Sequence, residues 1–490
     1  MFLVYFFSCV ILLVCACYLW IRKRFQYWSD NGIPCPKITF PLGTIQSGKH
    51  RVHSSLSTLK HYQQFKKLSP ICGQFLTIQP AILALDIDLI KNILIKDFEN
   101  FHDRGIYFNE SLDPLSAHLF NLEGRRWKNL RSKLTPTFSS GKMKFMFSTM
   151  VVVGLQLVKV LEMECEKTPE LEIKDLVSRF TTDMIGTCAF GLDCNSLKNP
   201  NVEFRTMGKK VFEPPTNNRI KMFLALSYER LAKIIGYRLV REEVTKFFMD
   251  VVTSTVDHRQ KNNVNRNDFM DILLRLKNQN DQPLTLNELA AQAFVFFVAG
   301  FETSSTVLSF TLFELAQNQN IQKKARNDVI NALANHNEEM TYEALNDMTY
   351  LDFCIDESLR KYPPLPLLVR KCTKDYYIES INYTMKKGMP VMIPIYAIHH
   401  DPDFYENPES FIPERFETGS KNQRAFMPFG EGPRFCIGNR FGLQQTKIGL
   451  ALLLKNFKFS LSEKTKVPLS FSTKKIILSV DGIWLSFEKN

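Results

Sequence analysis

The chain has 490 residues, 45% of them hydrophobic, and a formal net charge of +12. Its 11 cysteines are scattered with no CxxC pair, which argues against a disulfide framework and for a reducing compartment. Neither zinc-finger spacing nor an RNP-like aromatic strand is present, so the basic balance points to a membrane surface or an acidic protein partner, with no nucleic acid.

Length alone suggests roughly three domains, but no Pro/Gly/Ser linker or internal repeat divides the chain. One large globular unit with a small subregion is expected. The 40 phenylalanines mostly fill core and also suit an apolar pocket.

Residues Phe2 to Ile21 form an apolar run of 20, long enough for one bilayer crossing. Arg22-Lys23-Arg24 follows it. A cleaved signal would carry its positive charge before a shorter apolar core, so an uncleaved anchor over 1–21 is expected, with everything C-terminal on the cytosolic side. Residues 22–48 then read as a basic stop and a proline-rich hinge, through Pro34, Pro36 and Pro41. Residues 49–490 are left for the catalytic domain.

A strand pair is expected near Gln74 to Gln79 and Ala81 to Asp86. Phe101-His102-Asp103-Arg104 and an aperiodic loop to Phe120 come next. Trp127 and Arg131, four residues apart, share a helix face. The stretch from Lys142 to Asp250 is helical in pattern and carries no chemistry that can be named.

Thr285-Leu286-Asn287-Glu288 is a capping box that opens a helix to about Asn318, roughly 50 Å long. Ala299-Gly300 lets something flat approach, and Glu302-Thr303 sets an acid beside a hydroxyl. A mid-helix Gly and a Glu in apolar surroundings both cost stability, which is tolerated where function needs them. Residues at helical spacing from Thr303, namely Val295, Val298 and Ala299, are expected on the same face. Further on come Glu357-x-x-Arg360, then Tyr362-Pro363-Pro364 forcing an extended strand through Leu365 and Leu368 to Arg370, and Pro413-Glu414-Arg415-Phe416. His399-His400 reads as a turn before a short helix, and C-terminal strands are expected near Ile476 to Ser479 and Ile483 to Phe487.

The richest stretch is Phe429-Gly430-Glu431-Gly432-Pro433-Arg434-Phe435-Cys436-Ile437-Gly438. Glycines free the backbone to turn its N–H groups inward, and a helix begins directly afterwards. Such a setting favours a thiolate, the form that binds metal or attacks carbon.

Phe-x-x-Gly-x-Arg-x-Cys-x-Gly resembles the haem-binding loop of the cytochromes P450, and Ala-Gly-Phe-Glu-Thr resembles their oxygen-activation motif. The Phe101 to Phe138 region, ending in Leu-Thr-Pro-Thr-Phe, is most similar to insect microsomal members of family 6. The resemblance implies a mainly α-helical fold with small β-sheets and one N-terminal transmembrane helix. It implies haem b, held by the Cys436 thiolate, which pushes electron density onto the iron and favours O–O cleavage. Phe429 and Ala299 would border the haem, and Arg104, Trp127, Arg131, Arg370 and Arg434 would meet its propionates. Glu302 and Thr303 would deliver protons for O–O cleavage. Glu357, Arg360 and Arg415 would form a buried structural triad. Phe120, Val295, Val298, Leu365 and Leu368 would touch substrate.

The implied reaction is monooxygenation of a lipophilic small molecule by O2. No Gly-rich dinucleotide fingerprint is present, so electrons would come from NADPH through a separate cytochrome P450 reductase, an acidic diflavin protein, with cytochrome b5 as an accessory donor. Lys128, Lys133, Lys421, Arg424, Arg440 and Lys447 are candidates for the basic docking surface. The implied location is the endoplasmic reticulum membrane and the implied role xenobiotic detoxification, with hormone or fatty-acid hydroxylation as the alternative. Two rivals remain: a haem-thiolate isomerase or dehydratase, which needs no proton relay, and a non-catalytic haem or gas-binding protein, which needs no roomy apolar pocket.

Overall fold

The structure is a computed structural model; it describes residues 1–44, 52–213, 228–266, 268–278, 283–417, 424–473, 475–480 and 482–490. The described residues fall into two compact units. One comprises 1–107, 228–237 and 367–397, the other 108–213, 238–366 and 398–490.

In the first unit, Phe2–Arg24 is a continuous helix with no buried residue and three basic residues in its last turn. At 23 residues it spans about 35 Å and is long and apolar enough to cross a membrane. The segment after it is less of a spacer than its prolines suggest. Trp28 is 1% exposed, its indole N–H donates to the Gln74 carbonyl at 2.9 Å, and Gly73 N–H donates to the Pro34 carbonyl at 2.8 Å. Gly73 has to be glycine, because a Cβ there would strike the Trp28 ring.

These contacts seat the segment on a four-stranded sheet, ordered Ile71–Leu76, Gln79–Ala84, Pro390–Ile393, Leu368–Lys371. The second and third strands are parallel and the other neighbours antiparallel. The first two strands begin two to three residues before the positions expected from sequence. The turn between them rests on Thr77 at φ 60°, a left-handed conformation that a β-branched residue rarely adopts and that gives no turn signal.

The second unit is built on the helix Leu286–Gln317, whose N-terminus carries the expected Thr285/Glu288 capping box. Helices Ile173–Ile185, Glu242–Lys261 and Asn439–Asn456 pack on it. Phenylalanine fills the joins: the Phe248 ring lies 5.1 Å from Phe294 and 5.2 Å from Phe297, and Phe204 lies 4.8 Å from Phe297. Such tilted ring pairs add to the burial energy.

A three-stranded sheet, ordered Glu170–Glu172, Trp484–Lys489, Phe457–Leu461, closes this unit. The last strand therefore pairs with Phe457–Leu461, where inward Phe457 and Phe459 alternate with exposed Lys458 and Ser460. Residues 476–479 form no strand of their own; Leu478 N–H instead bonds to the Pro364 carbonyl at 3.0 Å.

Candidate active site

The loop from Phe429 turns through Gly430 and Gly432, at φ 73° and 69°, a region that favours glycine. It returns so that Cys436 N–H donates to the Phe429 carbonyl at 3.0 Å, and the helix Asn439–Asn456 starts three residues later. Outside the N-terminal helix, Cys436 is the one exposed cysteine. By contrast, burial pushes the thiols of Cys72 and Cys188 up to about 12. Thiols held protonated in this way are poor ligands and nucleophiles.

Three expected site residues meet beside this loop. The Arg434 guanidinium lies 4.1 Å above the centre of the Trp127 ring and donates to the carbonyls of Leu122 at 2.7 Å and Phe120 at 3.4 Å. Trp127 sits on the helix Gly124–Leu134 with Arg131 one turn on. Burial draws the Arg131 guanidinium below its usual range, and the nearby Cys436 sulfur acts in the opposite direction. Phe120 and Phe429 are both half-buried.

The helix Leu286–Gln317 is buried over most of its length, yet Val295, Val298, Ala299 and Thr303 remain partly or wholly open. These positions lie on one helical face, so the open part of this helix includes a stripe running from Val295 to Thr303. Gly300 does other work: a Cβ there would come 2.9 Å from Ile185 Cδ1, so its missing side chain admits a neighbouring helix. Thr303 Oγ1 donates to the Ala299 carbonyl at 2.6 Å. Gln445, on the helix after Cys436, donates to Ser304 Oγ at 2.6 Å and so ties the cysteine helix to the cleft wall.

Glu302 leaves this helix on another side. It is 3% exposed and lies 3.4 Å from Lys174 Nζ and 3.2 Å from Lys475 Nζ. Burial raises its carboxyl, but the two ammonium groups more than offset this and hold it below the usual range. Lys174 also donates to Ser305 Oγ and Thr306 Oγ1, at 3.1 and 2.9 Å. Sequence reasoning missed both lysines.

The structural triad is assembled. Arg360 grips fully buried Glu357 through Nε and Nη2 at 2.7 and 2.9 Å, and Arg415 Nε reaches Glu357 Oε1 at 3.3 Å. Arg360 also donates to the carbonyls of His399 and Ser410. His399 ends the short helix Ile395–His399; its Nε2 accepts from Met427 N–H at 3.0 Å, so Nδ1 carries the proton toward the Arg360 carbonyl. Burial pulls its imidazole down to about 3, and with both nitrogens engaged it is no metal ligand.

Arg104, Arg370 and Leu368 belong to the first unit and Leu365 to the second; Leu365 and Leu368 are half-buried. Lys371 N–H donates to the Asp103 carbonyl at 2.8 Å, so Arg104 runs beside the strand of Arg370. Arg370 is 1% exposed, and burial lowers its guanidinium to about 10. Among the described residues its Nη1 reaches only the Val369 carbonyl and its Nε has no hydrogen-bond partner. A buried cation without a carboxylate is costly, and it fits a bound anion.

Of the basic docking candidates, Lys128, Arg424 and Arg440 are exposed and Lys133 half-buried. Lys447 is 6% exposed and bonds to Asp352 at 2.8 Å, so it is no part of a docking surface. Lys421 lies outside the described residues.

A family model for Cytochrome P450 matches residues 36–487, and the chain belongs to the cytochrome P450 family. It is a monooxygenase whose cofactor is haem b with cysteine thiolate ligation. Its relatives are insect proteins of family 6. Cytochrome P450 6a9 of Drosophila melanogaster is 44% identical, over 98% of each chain. Cytochrome P450 6A1 of Musca domestica is 42% identical, over 93% of this chain and 92% of that one. The fold is that of the family, mainly helical with small sheets.

The residues present fit haem. They include an exposed thiol in a glycine-turned loop, an apolar stripe with an exposed alanine, and arginines whose side chains suit carboxylates.

Proposed function

We propose that Cys436 is the thiolate that holds the haem, and that the protein oxidises lipophilic foreign molecules such as plant toxins or insecticides. The exposure of Cys436 beside Arg131 and Arg434, while the other catalytic-domain thiols are buried except half-exposed Cys165, is the observation that carries this reading. Bound haem supplies the oxidising iron centre; the chain positions everything around it. Trp127, Arg131, Arg434, Arg104 and Arg370 bind its propionates. Val295, Val298, Ala299, Phe120 and Leu365 line an apolar cleft that excludes water and orients substrate. Thr303, open to that cleft, holds a proton at Oγ1 for the oxygen chemistry, and Glu302 stands one residue away as a carboxylate that relays a proton only after releasing a lysine partner. Glu357, Arg360 and Arg415 fix the chain leading to the loop.

Electrons come from NADPH through a diflavin reductase, with cytochrome b5 as a second donor, docking on a surface that includes Lys128, Arg424 and Arg440. Residues 1–21 anchor the protein in the endoplasmic reticulum membrane, 22–48 are stop and hinge, and 49–490 form the catalytic domain on the cytosolic side. The Thr303 hydroxyl on the open face of the helix, with an acid next to it in sequence, favours this reading over a reductase-independent isomerase.

The test is reconstitution of the purified haem protein in lipid with NADPH and reductase on a panel of lipophilic compounds. Oxygenated products that require NADPH and reductase support the reading. Turnover of peroxides alone, unstimulated by reductase, would replace it with the isomerase.

A further inference from the structure

The loop that carries Phe120 is held by two side chains from far along the chain. Asp113 is fully buried. Its Oδ2 accepts the backbone N–H groups of Leu239 and Val240 at 2.8 and 3.0 Å, and its Oδ1 has no hydrogen-bond partner among the described residues. Gln292, also fully buried, sits on the cleft-wall helix one turn before Val295. Its Oε1 accepts Leu119 N–H at 2.9 Å, and its Nε2 donates to the Glu288 carbonyl at 3.1 Å.

Between these fasteners the strap is braced internally. Ser116 Oγ donates to the Asp113 carbonyl at 2.6 Å and Asn121 Nδ2 to the Ser116 carbonyl at 3.0 Å. The strap ends at Phe120 and Leu122, whose carbonyls take Arg434. The His118 ring lies 6.3 Å from Phe294 on the cleft-wall helix.

A segment whose regular structure is limited to the single turn Pro114–Ser116 keeps one shape only if its entropy is offset at fixed points. A buried carboxylate with one oxygen unpartnered costs free energy, so its presence marks a place where position matters. Burial raises this carboxyl above its usual range, with the two backbone N–H groups opposing.

We propose that Asp113 and Gln292 are positioning residues that set which lipophilic molecules the cleft accepts, by holding residues 114–122 at a fixed height over the cleft-wall helix. This rests on the haem monooxygenase reading. Asp113 fixes the strap to the chain entering Glu242–Lys261, and Gln292 fixes it to the helix bearing Thr303. Phe120 then stands as a wall of constant position. Loosening either point lets the wall retreat, which a bulky ligand feels and a small one does not.

The experiment uses the full-length, haem-loaded protein and two nitrogenous probes read by the haem absorption shift: imidazole, which needs only the iron, and clotrimazole, which also needs the cleft wall. Asp113→Ala and Gln292→Leu should keep the reduced CO band and the imidazole affinity, and weaken clotrimazole about tenfold, near 1.4 kcal/mol. Asp113→Asn, which retains an acceptor oxygen, should recover most of that loss. Unchanged clotrimazole affinity in both truncated variants would overturn the proposal, as would a parallel loss for both probes. If Asp113→Ala takes up no haem, the ratio of the two affinities in Gln292→Leu against the unmutated protein decides. Loss of the CO band from the unmutated protein would instead sink the haem reading on which the proposal stands.

Discussion

Glu302 and Thr303 are neighbours in sequence and face different surroundings. The hydroxyl bonds to the Ala299 carbonyl at 2.6 Å on the open face of the helix, while the carboxylate is buried between Lys174 and Lys475. An acid held in this way is charged, and it serves first as the counter-ion for a buried lysine. Any proton it hands toward Thr303 requires that it leave one of its two partners.

Glu302→Gln should therefore cost stability as well as activity. It leaves the Lys174 ammonium, already lowered by burial, without its closest counter-charge, a change worth about 3 kcal/mol. The pH dependence follows in sign. The folded carboxyl titrates below its usual value of 4.5, so its contribution is whole above that value and is lost as pH falls through the depressed one. The thermal midpoints of the two proteins should differ by a constant amount at neutral pH and converge in acid. Equal midpoints at pH 7 would show that the cage contributes nothing.

Thr303→Ala should leave stability nearly unchanged, since the lost bond is a local one back to its own helix and such back-bonds contribute little. Its effect should be on coupling: more peroxide released per NADPH consumed, at similar NADPH consumption. Measuring both in the reconstituted system separates the hydroxyl's chemical role from a structural one.

Much of this site was legible because its signals are local. The capping box, the Trp127–Arg131 spacing, the glycine-turned cysteine loop and the Val295–Ala299–Thr303 stripe each follow from residues a few positions apart. The cage around Glu302 was not legible, because Lys475 lies 173 positions away and nothing near either residue announces the other. The Asp113 latch spans 126 positions and was equally silent. Thr77 hid the hairpin turn by adopting a conformation its residue type avoids. Lys447 was misjudged although a signal existed: it stands directly before the apolar run Ile448 to Leu454, and a helix apolar all round is a buried one.

Cys436→Ser should abolish the red-shifted Soret band that thiolate ligation gives the reduced CO complex. The backbone bond to the Phe429 carbonyl involves no side chain, so the loop should survive and haem should still bind in part. A retained band would remove Cys436 as the ligand.

Arg370→Met should have effects of opposite sign with and without haem. In the haem-free chain it removes a buried cation that has no carboxylate partner, which is neutral or stabilising. In the haem-loaded protein it removes a propionate contact and should speed haem loss. The checks are the apo-protein's thermal midpoint and the rate of haem transfer to an excess of apomyoglobin. A fall in both stabilities would assign Arg370 a structural role only.

Lys128→Glu and Arg440→Glu should raise the reductase concentration needed for half-maximal turnover, most strongly at low ionic strength, because exposed charges steer association and are screened by salt. Lys447→Ala should not. Its buried ammonium bonds to half-exposed Asp352, near Asp356, whose carboxyl burial and Asp352 together push up to about 7. Removing Lys447 takes away the one cation that opposes this, so the variant should lose stability on going from pH 6 to 8, as the acids are forced to ionise without it. An increased reductase requirement in Lys447→Ala, with unchanged stability across that range, would restore it to the docking surface.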